Sequence, residues 1–190
     1  MGFAIALTSV SEADRPSILA NARLSETGID DAANETRLSG GLWQGQYITW
    51  RNTRMTKRLA SPRYDLVAAG IRMLPLEVNE TAMGAAVIQY ENGVEIWSAS
   101  GDDHGYVTQG PVPLDADALK TLCYAQSVVV FGEEKAKEYA QADGDFTDPF
   151  AMAVELFVAQ TGFRYDSHDV DTFMELAGEM PFPKPWWKIW

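Results

Sequence analysis

The chain has 190 residues, 46% of them hydrophobic, a sequence pI near 4.5 and a formal net charge of −12. That length and apolar share suit one globular core and exclude disorder throughout, and the negative mean field repels phosphate, which argues against nucleic acid as the partner of the whole surface. Cys123 is the only cysteine, so no internal disulfide exists and a reducing compartment fits.

The start, Met1 to Thr8, is apolar but has no basic n-region and breaks at Thr8-Ser9 before Glu12, so it does not read as a secretory signal. No stretch approaches the ~20 apolar residues of a membrane span. A cytoplasmic location is therefore expected. Phe3 to Val10 alternates as a first strand, with Phe3, Ile5 and Leu7 on one face. Ser11 and Asp14 open a helix in which Pro16 is tolerated in the first turn and Ile18, Leu19, Ala22 and Leu24 supply the stripe. Residues 25–41 are polar and carry Gly40-Gly41, which reads as a loop or a loosely held helix.

Leu42 to Trp50 alternates as one strand, with Trp43, Tyr47 and Thr49 on one face and Leu42, Ile48 and Trp50 on the other. Ser61-Pro62 then reads as the start of a helix with Leu66, Val67, Ile71 and Leu74 at helical spacing, stopped by Pro75. Ala85–Tyr90 and Val94–Ala99 flank Asn92-Gly93, the preferred pair for a tight hairpin turn, and a simple register sets Ile88 opposite Trp97. Leu114 to Tyr124 reads as a helix with Asp115 and Asp117 at its positive end. Ser127 to Phe131 is a short β-branched run. Glu133–Ala142 reads as a helix, and another starts at Asp148-Pro149 and ends near Gly162, buried through Phe150, Val154, Phe157 and Val158. A short helix is expected around Asp171–Ala177. The class is α+β: a single domain over residues 1–179, an antiparallel sheet containing a central hairpin (about 84–100), helices concentrated in the C-terminal third, and a Pro/Trp-rich tail over 180–190.

Charge is unevenly spread. From Thr36 to Tyr64 there are six basic side chains and no acidic one, against −18 over the rest of the chain. Within that segment Arg51, Arg54, Lys57 and Arg58 follow Trp43, Tyr47 and Trp50, a mix of guanidinium forks and aromatic faces that suits nucleotide or RNA contacts over 51–58. The plainer reading pairs these cations with carboxylates, since exposed ion pairs need no functional reason, and no phosphate-binding glycine loop accompanies them.

Asp102-Asp103-His104 lies on a Gly-flanked loop, and His168 lies in a second polar knot with Asp166 and Asp169. If the two loops met, imidazoles and carboxylates could hold a divalent metal for a metal-assisted hydrolase; separate exposed loops are the plainer reading. The calcium-like run from Asp143 to Asp148 lacks the required Gly and Glu, and Asp148 reads better as a helix cap. In the tail, Trp186, Trp187 and Trp190 either anchor a partner or fold back over the domain, because so much aromatic area has to be covered. With no catalytic signature and no cofactor expected, the leading expectation is an acidic intracellular module binding another, basic protein. The analogy is to bacterial immunity or antitoxin-type proteins, and it is one of charge and size, not of motif.

Overall fold

The computed structural model describes residues 4–31, 36–52, 62–142, 148–166, 173–178 and 180–181. In chain order the elements are β1 (Ala4–Ser11), a 3-10 turn (Glu12–Asp14), α1 (Arg15–Ala22), β2 (Leu24–Asp30), β3 (Leu38–Trp43), β4 (Gln46–Asn52) and α2 (Tyr64–Val67). There follow β5 (Arg72–Asn79), β6 (Gly84–Glu91), β7 (Val94–Asp102), β8 (Gly105–Gln109), α3 (Ala116–Phe131), α4 (Glu133–Ala142), α5 (Pro149–Thr161) and β9 (Met174–Gly178). The strands form one sheet in the order β2-β9-β3-β4-β1-β5-β6-β7-β8, every described neighbour pair antiparallel. The fold is α+β, with α3, α4 and α5 all in the C-terminal half.

Both faces of the middle strands are buried. On the first face Ile5, Leu7, Ile48, Leu74, Leu76, Val87 and Trp97 pack beneath α5, with Leu119 and Cys123 of α3 behind it. On the second face Val10, Tyr47 and Met73 pack against Ile18 and Ala22 of α1 and Tyr64 and Val67 of α2. Two-sided burial explains why β1 is buried at Ile5 to Val10 without interruption. α5 lies between sheet and α3 and is buried at every position from Met152 to Phe157, as an apolar all-round helix must be. Its start is fixed by Asp148, whose Oδ1 accepts from the Phe150 and Ala151 amides at 3.0 and 3.3 Å, and its end by left-handed Gly162. A Cβ on Gly101 would lie 1.7 Å from the Pro149 carbonyl oxygen, so only glycine lets α5 begin directly on β7.

Several expectations are corrected. The described part of 25–41 is mainly strand, not loop or helix: it supplies most of β2 and the start of β3. β3 carries Ser39-Gly40-Gly41 and is held by its ladder with β4, where a Cβ at Gly40 would sit 2.5 Å from the Tyr47 hydroxyl. Leu42 to Trp50 is not one strand but a hairpin, turning at Gln44-Gly45 with φ of 46° and 78°. Glutamine in a left-handed position is not a turn signal. The reversal sends Trp43 to the first face, opposite Tyr47. The first helix stops at Ala22, because Arg23 is left-handed and Leu24 opens β2.

The helix expected from Ser61 to Leu74 is one turn, α2, and Leu74, Leu76 and Val78 alternate along β5. Pro75 therefore stands in an interior strand. It has no N–H to give, and the β5–β6 ladder skips Leu74 and Pro75. Gln89 fills the gap, its Nε2 donating to the Met73 and Tyr90 carbonyls at 3.1 and 2.9 Å. The β6–β7 hairpin turns at left-handed Asn92 and Gly93 as expected. A bulge at Gln89/Tyr90 shifts the register, so Ile88 faces Ser98 and Gln89 faces Trp97. The Ser127–Phe131 run continues α3 up to Gly132. Met174–Gly178 is β9, a strand inserted between β2 and β3, where a helix was expected.

Candidate functional site

The described members of the aromatic–basic set face inward. Tyr47 is buried and its hydroxyl donates to Glu26 Oε1 at 3.0 Å. Glu26 in turn binds the Arg15 guanidinium, which lies 5.3 Å over the Tyr47 ring. Burial, and then the Glu26 carboxylate, pushes the Tyr47 phenol well up. Trp50 is in the core, and Trp43 packs edge-on against Phe163 with ring centroids 5.6 Å apart. Arg51 is buried on the second face with Nη2 3.8 Å from Glu77 Oε1, which also accepts from the Tyr64 hydroxyl at 2.9 Å. Arg63 is held by Asp65, and that hydrogen bond keeps the Asp65 carboxyl below its ordinary range. Arg54, Lys57 and Arg58 lie outside the described residues. The physical reason for the inward set is the layering: β4 is covered by the α5 core on one face and by α1 and α2 on the other.

Asp102, Asp103 and His104 form the two-residue turn between β7 and β8 and its flank. Asp102 Oδ1 accepts from the His104 amide at 2.8 Å, and the imidazole, 85% exposed, has Nε2 3.6 Å from Asp103 Oδ1. His168 lies outside the described residues, as do Trp186, Trp187 and Trp190. The chain entering the tail is anchored: Met180 is buried in the second-face core and the Pro181 carbonyl accepts from the Arg63 amide at 2.7 Å. Among the described residues, no three His, Cys, Asp or Glu side chains gather as a metal-holding group. The Cys123 thiol is pushed up to about 12, first by burial and then by Glu155, so it is protonated and inert near neutral pH.

A different region stands out on the second face. α1 and α2 reach as far as Met73 of β5 and Tyr90 of β6. Beyond them, over β6, β7 and β8, no described element covers the sheet: Ile96 is 39% and Val107 65% exposed, and Ile88 is half-buried beside them. The rim is anionic. Glu91 and Glu95 mark the end at the Asn92-Gly93 turn, and Asp102 and Asp103 mark the opposite end. From Met73 to Leu119 the chain contains no lysine or arginine. The Tyr90 phenol is raised by burial and then by Glu95, Asp65 and Glu77, which places three carboxylates around it. Next to this face, at the Asp102 end of the strands, is a recess of about 370 Å³ bordered by Arg51, Glu77, Ala86, Ser100 and Asp102.

A second recess, of about 300 Å³, lies on the first face beside the end of α5, where polar groups satisfy one another. The Arg72 Nε and Nη2 atoms donate to Gln89 Oε1, both at 3.2 Å, and Ser9 Oγ donates to Gln46 Oε1 at 2.9 Å. The arginine-free stretch that marks the bare face was present in the sequence as a charge pattern. That nothing among the described residues packs over it was not. Comparison with protein-family models, with curated proteins and with solved structures gives no match.

Proposed function

We propose that the protein is a binding module that engages a basic partner protein through the bare, anionic face of β6, β7 and β8. The single observation that carries this reading is the apolar centre of Ile88, Ile96 and Val107 set inside a rim of carboxylates with no cation in the stretch that forms it. An apolar core with a polar rim is the ordinary anatomy of a protein interface. A rim of one sign speeds encounter with the opposite sign and rejects like-charged competitors. Neutralisation of a basic protein, in the manner of an immunity or antitoxin-type protein acting in the cytoplasm, is the biological form this takes.

The test is association kinetics with the partner recovered by cross-linking in the native cell. Raising salt from low to physiological concentration shortens the screening length to about 8 Å and should slow association. Exchanging Ile96 and Val107 for aspartate should abolish binding. A partner that associates at a salt-independent rate, or that protects another face from hydrogen exchange, overturns the reading.

A further inference from the structure

Resting on that reading, we propose that the partner joins the sheet as a tenth strand along the outer edge of β8. β8 ends the strand order, and no described strand pairs with its outer side. The two-residue turn at Asp103-His104 closes with the pair Asp102 and Gly105. In such a hairpin the closing pair exchanges both backbone bonds, and bonded and non-bonded pairs then alternate along the ladder. Gly105, Val107 and Gln109 are therefore turned toward β7, while Tyr106 and Thr108 direct their N–H and C=O groups outward.

Edge strands are normally blunted by charge, proline, bulges or covering segments, because an open row of backbone groups invites pairing. β8 reads Gly-Tyr-Val-Thr-Gln, with no charge, no proline and no bulge in its pairing with β7. Among the described residues, its one protection is its length of five residues. An added strand would set alternate side chains on the bare face beside Val107, which favours apolar residues there. Its end nearest the turn would meet Asp102 and Asp103, which favours lysine or arginine. The occupant is thus an extended basic segment of the partner, held by main-chain bonds and selected by its alternate side chains.

The experiment uses the full chain and a fluorescent heptapeptide of alternating lysine and valine, blocked at both ends, read by anisotropy. A second peptide of the same sequence carries N-methyl groups on alternate backbone amides. Thr108→Pro removes an outward N–H and leaves the β7 ladder whole, whereas Thr108→Val keeps it. The first peptide should bind, with affinity about tenfold or more weaker for Thr108→Pro and for the N-methylated peptide, and within about twofold for Thr108→Val. Binding to Thr108→Pro at wild-type strength, or no binding to the wild-type chain, overturns strand addition. If Val107→Asp weakens the peptide and Thr108→Pro does not, strand addition fails and the face reading stands. If neither does, both fail. Should Thr108→Pro not fold, the N-methylated peptide decides alone.

Discussion

At one margin of the sheet, β2 carries Glu26 and Asp30, a left-handed Gly28 and an irregular pairing with β9. At the other, β8 carries no charged residue, pairs regularly with β7 and shows Val107 to solvent. The contrast extends inward. Beside β2, the second face is roofed by α1 and braced by Arg15, Glu26 and Tyr47, whereas beside β8 the same face is open and anionic. On the second face, one end of the sheet is thus roofed by a helix and the other carries the exposed Ile96 and Val107. On the proposed reading, stability and recognition occupy different parts of one sheet, and each should be perturbable without the other.

The comparison is sharpened most by Phe157→Ala. Phe157 is wholly buried in α5, and its truncation should cost about 3–5 kcal/mol in urea unfolding. Alkaline pH should act on the same core. Burial raises the Cys123 thiol from its ordinary 9.0, and the Tyr106 phenol from 10.0, to about 12 each. Both groups are then protonated in the fold and ionised in the unfolded chain over that window. Their contribution is complete below pH 9.0 and should be lost as pH rises toward 12, read as a falling urea midpoint. Gly101→Ala comes next: its Cβ meets the Pro149 carbonyl, and pushing α5 off β7 should cost about 1–3 kcal/mol in the same assay. Asp148→Ala removes the cap of α5, worth about 1 kcal/mol. The smallest effect belongs to the open end. Val107→Asp should change unfolding by no more than about 0.5 kcal/mol while eliminating partner binding. If it destabilises the fold as a core change does, the two ends are not separate and the comparison breaks.

Much of the frame was legible in the sequence where a local rule decides the outcome. Asn92-Gly93 demands its turn, and Asp148-Pro149 with Gly162 brackets α5 at both ends. The misreadings share a cause, which is that pairing between distant residues overrode local pattern. Gly40 and Gly41 form a strand because β4 lies beside them. Pro75 enters one where the ladder to β6 skips it, with the Gln89 amide bonded to the Met73 and Tyr90 carbonyls beside the gap. Trp43, Tyr47, Trp50 and Arg51 look suited to display, yet their strands are central and their side chains turn inward. Of the candidate surface, the run without cations was readable. Its exposure depends on where α1 and α2 stop, which no local pattern encodes.

The skipped positions at Leu74 and Pro75 break the ladder between β5 and β6 locally. Six strands lie to one side of it, β2 through β5 in the strand order, and the three-strand meander that carries the carboxylate rim lies to the other. A side-chain amide bridges the break, and backbone pairing resumes on both sides of it. The meander is accordingly tied to the rest of the sheet as much by α5, which lies across β5, β6 and β7, as by its own ladder to β5.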